Sequence, residues 1–208
     1  MKRAQWLIIF TGLWLNAHTQ SHGGMEQYYS IQDKKTFMVM PVVYFENNKN
    51  WYAEGRYNYE AQQTLSIYAG KTFRKDSQLS FEISPMAGVV AGQFNGGSAG
   101  VNVELDYAGF SLSSQSQYTF SITDKTQNFT YSWTDISRKI FLNIYAGLSA
   151  QHTKVYKEDK AFEAGVFLGA EFKNWAVPLY IFNPANANRY FILGLQCQWQ
   201  YKKNKTKN

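Results

Sequence analysis

The chain has 208 residues, of which 45% are hydrophobic, 17% aromatic and 17% charged, with a formal net charge of +6. Its mean hydropathy of −0.40 excludes a helical membrane bundle, because beyond the start no stretch approaches the roughly 20 apolar residues of a spanning helix. A single cysteine, Cys197, excludes a disulfide scaffold, a cysteine-rich zinc site and an iron–sulfur cluster.

The chain opens as an export signal. Lys2 and Arg3 precede an apolar run from Trp6 to Leu15, and the small residues Ala17 and Thr19 follow. A basic start, a short apolar centre and a small-residue pair are the pattern of a secretory signal peptide, expected here over 1–19. Segment 20–35 follows and can supply a first strand over Gln27 to Ile31.

From residue 36 the dominant pattern is alternation with period two, the signature of strands exposed differently on their two faces. The run from Thr36 to Glu46 is apolar on both faces. From Trp51 to Glu60 the row Trp51, Ala53, Gly55, Tyr57 and Tyr59 alternates with Tyr52, Glu54, Arg56, Asn58 and Glu60. Phe110 to Phe120 carries Ser114 and Ser116 in its apolar row. Ile140 to Gln151 sets Ile140, Leu142, Ile144, Ala146, Leu148 and Ala150 against Tyr145, Gly147, Ser149 and Gln151. Ala161 to Phe172 sets Phe162, Val166, Leu168 and Phe172 against Glu163, Gly165, Phe167, Gly169 and Glu171. Tyr190 to Tyr201 ends the pattern, with Phe191, Leu193, Leu195, Cys197, Trp199 and Tyr201 in its apolar row.

Turn-forming residues interrupt these runs near 32–35, 47–50, 61–63, 75–77, 94–98, 107–108, 122–126, 135–138, 153–160, 173–174 and 184–188. The expectation is an all-β, closed antiparallel transmembrane barrel over 36–201. It has twelve strands with Gln27 to Ile31 as the first, or ten if the weak first and seventh segments do not pair. Breaks alternate between shorter and longer on average, as the two ends of a membrane barrel do. A secreted soluble β-barrel is the alternative fold, but the non-apolar rows here repeatedly combine Gly, Ser, Asn and Gln with carboxylates. The apolar rows end in aromatics, and Trp51, Phe172, Trp175, Trp199 and Tyr201 form an expected interfacial belt.

On these patterns the chain resembles bacterial outer-membrane β-barrel proteins. The last strand, "RYFILGLQCQWQY", looks like the C-terminal signal that such barrels present to their assembly machinery, although "KKNKTKN" follows its final aromatic. "WYAEGRYNYE" and "FTYSWTDIS" look like motifs of small outer-membrane proteins with no assigned activity. The resemblance implies the bacterial outer membrane as location. It implies lipid and the assembly machinery as partners, with a larger envelope complex as a further one.

With the apolar rows facing lipid, the inward charges are Glu54, Arg56, Glu60, Glu82, Glu104, Asp106, Glu163 and Glu171, seven acids against one base. Tyr52, Tyr68, Tyr145, Gln115 and Gln117 are large enough to fill the space between them. Two readings follow: a wall network with a structural or accessory role, or a narrow, weakly cation-preferring small-solute channel.

Catalysis finds no support. Ser149 and His152, three apart on a strand, point to opposite faces, and Glu104 with Asp106 forms a pair without a substrate signature. Glu158, Asp159 and Glu163 could hold Ca²⁺ only loosely through oxygen, so no metal or cofactor is expected. The basic charge is terminal: without Lys2, Arg3, Lys202, Lys203, Lys205 and Lys207, residues 4–201 hold 15 basic and 15 acidic groups. Nucleic acid is therefore not an expected partner, and 202–208 reads as a short basic tail.

Overall fold

Period-two alternation requires a partner strand on each side, and in lipid every backbone N–H and C=O must find one. The computed structural model, which describes residues 21–32, 37–156 and 161–201, meets that demand by closing the sheet on itself. Its strands are β1 (Ser21–Ile31), β2 (Phe37–Glu46), β3 (Trp51–Tyr57), β4 (Thr64–Lys71) and β5 (Phe73–Lys75). There follow β6 (Leu79–Gly92), β7 (Gly96–Tyr107), β8 (Phe110–Ser121), β9 (Phe129–Phe141) and β10 (Ile144–Val155). The last three are β11 (Ala161–Phe172), β12 (Trp175–Phe182) and β13 (Tyr190–Tyr201).

β4 and β5 are two parts of one stave. Both pair with β6 in a single continuous register, from Thr64↔Gly92 to Lys75↔Phe81. Between them the Thr72 N–H donates to the Asn50 carbonyl and its hydroxyl meets Ser84 at 2.9 Å. Twelve staves result, every neighbouring pair antiparallel, and β1 closes the ring against β13 from Ser21↔Tyr201 to Ile31↔Phe191. The first strand is longer than Gln27 to Ile31, because Ser21 to Glu26 also find partners on β13 and β2. The signal peptide and the basic tail lie outside the described residues, as do Glu158 and Asp159.

The two ends of the barrel differ. Turns at 47–50, 76–78, 108–109, 142–143 and 173–174 share the end where β1 begins and β13 ends, and longer connections at 58–63, 122–128 and 183–189 occupy the other. Ala108 and Gly109 both have positive φ, 49° and 80°, as a two-residue hairpin turn twisted to match its strands requires.

One expected break is absent. β9 runs straight through 135–138 and turns only at 142–143, where Leu142 has φ 26°. Asp135 and Ser137 look like turn residues in sequence, but both are buried in the barrel interior while Ile136 and Arg138 face out. Polar side chains inside a barrel satisfy the strand pattern as well as they satisfy a turn.

The apolar rows face outward. Val43, Ile67, Val89, Leu148, Leu168 and Leu179 are all exposed on the outer wall, where a bilayer would cover them. Trp51, Phe172, Trp175 and Trp199 lie on the same wall near the short-turn end, and Tyr201 is the last residue of β13. Phe172 pairs with Trp175 in register, and Lys71 Nζ lies 5.7 Å from the Trp51 ring centroid.

Candidate functional site: the barrel interior

Inward positions of one strand meet those of distant staves, because a twelve-stave barrel is narrow enough for long side chains to cross it. The interior falls into four groups.

The first centres on Arg56 of β3, which is 1% exposed. Its Nε donates to Glu54, its Nη1 donates to Gln117 of β8 at 2.7 Å, and Glu60 lies 3.5 Å from Nη1. The rings of Tyr59 and Tyr68 flank the guanidinium at 4.6 and 4.7 Å. Tyr52 donates to the same Glu54 carboxylate, and Asn102 of β7 reaches both from 3.4 Å. Tyr59, in the 58–63 loop, donates to Gln115 and meets Tyr131 edge-on at 5.7 Å. This cluster ties β3 to β7, β8 and β9 across the lumen.

The second centres on Asp135 of β9. Its carboxylate accepts from Trp133 Nε1 at 2.9 Å, from the Ser149 hydroxyl at 2.6 Å and from the Tyr180 hydroxyl at 2.9 Å. Trp133 is also packed against Tyr28, Tyr180 and Phe182, with centroids 5.2, 5.3 and 6.1 Å apart. A buried aromatic cluster of Tyr28, Trp133, Tyr145, Phe167, Tyr180, Phe182 and Tyr190 occupies this side of the interior.

The third lies toward the longer loops: Tyr190 donates to Glu163 at 2.7 Å, and Asn183 reaches the other oxygen of Glu163 at 3.3 Å. The fourth lies at the short-turn end. There Arg74 Nη2 bonds Glu46 at 2.8 Å and Glu82 at 3.1 Å, with His22 beside Glu46. Next to it a cavity of about 10 Å³, room for roughly one water, is lined by Glu104, Asp106, Ser111, Leu112, Ser113, Asp135 and Ser137.

Every inward charge expected from the alternation is therefore on the lumen side, including Glu171, which is buried near the short-turn end. Tyr145 is buried there as well, against Phe167. Sequence reasoning missed four charged groups and one ring: Glu26, Glu46, Arg74, Asp135 and Trp133. Glu26 sits on the part of β1 that precedes Gln27, Glu46 and Arg74 lie beside breaks, and Asp135 has turn chemistry but lies within β9. Ser149, weighed as a nucleophile, donates instead to Asp135 and accepts from Trp133 at 2.9 Å.

Among the described residues the buried charges are Glu26, Glu46, Glu54, Glu82, Glu104, Asp135 and Glu171 against Arg56. Part-buried Glu60, Asp106 and Glu163 extend the acidic side, and part-buried Arg74 the basic side. The imbalance is steeper in total than alternation alone suggests.

No protein-family model and no curated protein sequence matches the chain. Solved structures do. The KdgM porin superposes with a TM-score of 0.61 at 14% identity, covering 84% of this chain and 98% of that one. A second structure of the KdgM porin, in complex with disordered oligogalacturonate, gives 0.62 at 13% identity over the same shares. The NanC porin gives 0.53 at 8% identity, covering 87% of this chain and 99% of that one. Identities this low speak of architecture alone. With its closed twelve-stave wall, apolar outer surface and polar interior, the chain has the fold of the small bacterial outer-membrane β-barrels to which these porins belong.

Proposed function

We propose that this protein is a narrow, cation-preferring channel of the bacterial outer membrane, passing water, small cations and small neutral solutes. The observation that carries the reading is the excess of carboxylates on the interior wall. Ten acids stand there with two guanidinium groups and one histidine among the described residues. Removing an ionised carboxylate from water costs several kcal/mol unless it is paired. An excess of eight carboxylates over guanidiniums favours an interior that admits water and mobile cations. An acid-lined passage raises the local cation concentration and repels anions.

The same sign argues against the ligand that accompanies one of the structural neighbours. Oligogalacturonate is a polyanion, and an interior lined by Glu54, Glu82, Glu104, Asp106 and Glu171 opposes its entry. Purified protein in planar bilayers should give small, discrete conductance steps in KCl; an electrically silent, correctly folded barrel would overturn the channel reading.

A second reading has its own support: a barrel whose interior only braces the wall, with an accessory role in the envelope. The contacts of Tyr28, Tyr59 and Arg56 across the lumen favour it. Lipid and the assembly machinery would be its immediate partners, and co-purification of a larger complex from mild detergent would support it. No catalytic role is proposed: Ser149 donates to Asp135 rather than pairing with His152, and the Ser111 hydroxyl beside Glu104 and Asp106 donates to Asp106.

A further inference from the structure

His22 of β1, Glu46 of β2 and Glu82 of β6 meet at the short-turn mouth of the lumen. One imidazole nitrogen and one oxygen from each carboxylate all lie within 4.8 Å of one another. His22 and Glu46 are register partners on the consecutive strands β1 and β2, and Glu82 of β6 reaches them from a stave further round the wall.

Two further features point to a cation. Glu46 is 1% exposed, and its Oε1 is buried with no hydrogen-bond partner. A desolvated carboxylate oxygen without a donor is costly, and a metal ion satisfies it directly. His22 Nε2 stands 3.5 Å from Glu46 Oε2. Oε2 already accepts from Arg74, so Oε1 is the Glu46 atom left to ligate an ion.

Arg74 adjoins the group and bridges one oxygen of each carboxylate, leaving Glu46 Oε1 outside the bridge. Its Nη2 holds Oε2 of both Glu46 and Glu82, at 2.8 and 3.1 Å, and so orients the two carboxylates. Groups that donate to ligating carboxylates from behind commonly fix their geometry. The charges agree. With His22 neutral, the two glutamates and Arg74 sum to one negative charge, and Glu104, opposite Glu82 across β6 and β7, adds another. A divalent ion neutralises the group.

We propose that His22, Glu46 and Glu82 form a binding site for a divalent transition-metal ion of the Zn²⁺ type, with Arg74 orienting the carboxylates and a fourth position open to water. The imidazole selects Zn²⁺-like ions over Mg²⁺ and Ca²⁺, which prefer oxygen ligands throughout. The His22 side chain is 25% exposed, so the ion can enter from the short-turn end, the periplasmic side in barrels of this kind.

The test uses the untagged, folded barrel in detergent, stripped of metal and dialysed against Zn²⁺ alone. One Zn²⁺ per barrel is expected, undisturbed by excess Mg²⁺. His22→Gln and Glu46→Gln should each weaken retention by more than about tenfold, while His152→Ala leaves it unchanged. Heat-modifiable gel migration confirms that each variant is folded. Co²⁺ offers a second readout: tetrahedral visible absorption in the wild type, lost in His22→Gln. Failure of the wild type to retain Zn²⁺, or equal retention by folded His22→Gln and Glu46→Gln, would overturn the site. Binding is read without conductance, so this result is separate from the channel reading.

Discussion

Tyr28 on β1 and Trp133 on β9 meet across the lumen, with ring centroids 5.2 Å apart and planes inclined at 48°. Five steps around the wall separate their staves, so this contact crosses the barrel rather than lining it. Trp133→Ala should therefore have two opposite effects. Removing a buried indole with several ring contacts should cost about 3–5 kcal/mol of stability, read from urea unfolding in detergent. The same change should raise single-channel conductance, and unaltered conductance in a folded variant would show that the constriction lies elsewhere.

Arg56 holds Glu54 and approaches Glu60, and all three side chains are essentially inaccessible to solvent. Arg56→Ala leaves two carboxylates buried without their counter-charge, a loss of about 3–5 kcal/mol. Adding Glu54→Gln to that variant should restore part of the stability, because one of the two stranded charges is gone. A double variant no more stable than Arg56→Ala alone would mean that the guanidinium acts through its packing between Tyr59 and Tyr68.

Placement in a bilayer predicts a depth-dependent penalty on the outer wall. Leu168 lies within β11 and is 54% exposed, whereas Ile122 stands just beyond β8 at the longer-loop end. Leu168→Arg should destabilise the barrel in lipid by about 2–4 kcal/mol, and Ile122→Arg by about 1 kcal/mol or less. Equal, small effects at both positions, measured in lipid vesicles, would contradict a membrane-embedded outer surface.

Gly147 sits beneath the Phe167 ring. A Cβ there would come 2.2 Å from the Ile136 carbonyl oxygen and 2.6 Å from the ring. Gly147→Ala should lower the urea midpoint although it adds only one methyl group, since the carbonyl belongs to the β9 ladder and cannot yield cheaply. Ala146→Gly, one residue away on β10, should be milder.

Much of this was legible in the sequence because the physics is local. Alternation in Ala161–Phe172 and Tyr190–Tyr201 assigned faces correctly, and the same rule put Glu54, Arg56, Glu82, Glu104, Asp106, Glu163 and Glu171 inside. What failed was the boundary between strand and turn. Asp135 and Ser137 have turn chemistry, and only the strand register reveals that Asp135 faces inward, where Trp133 on its own strand, Ser149 opposite it on β10 and Tyr180 on β12 donate to it. Arg74 follows a stave interrupted at Thr72, and Glu46 ends one whose two faces are equally apolar, so neither announces its direction. The His22–Glu46–Glu82 group was invisible for another reason: its members are 24 and 36 residues apart in sequence, and it takes the β1–β2 register, with His22 opposite Glu46, and the curved wall that brings β6 near to unite them.

The most direct test of the account is the reversal potential of the purified barrel in a planar bilayer under a steep KCl gradient. An interior dominated by Glu26, Glu46, Glu54, Glu82, Glu104 and Glu171 predicts a potential displaced toward that of K⁺, with the displacement reduced in a Glu82→Gln/Glu104→Gln variant. A potential displaced toward that of Cl⁻, or no conductance from folded protein, would contradict it.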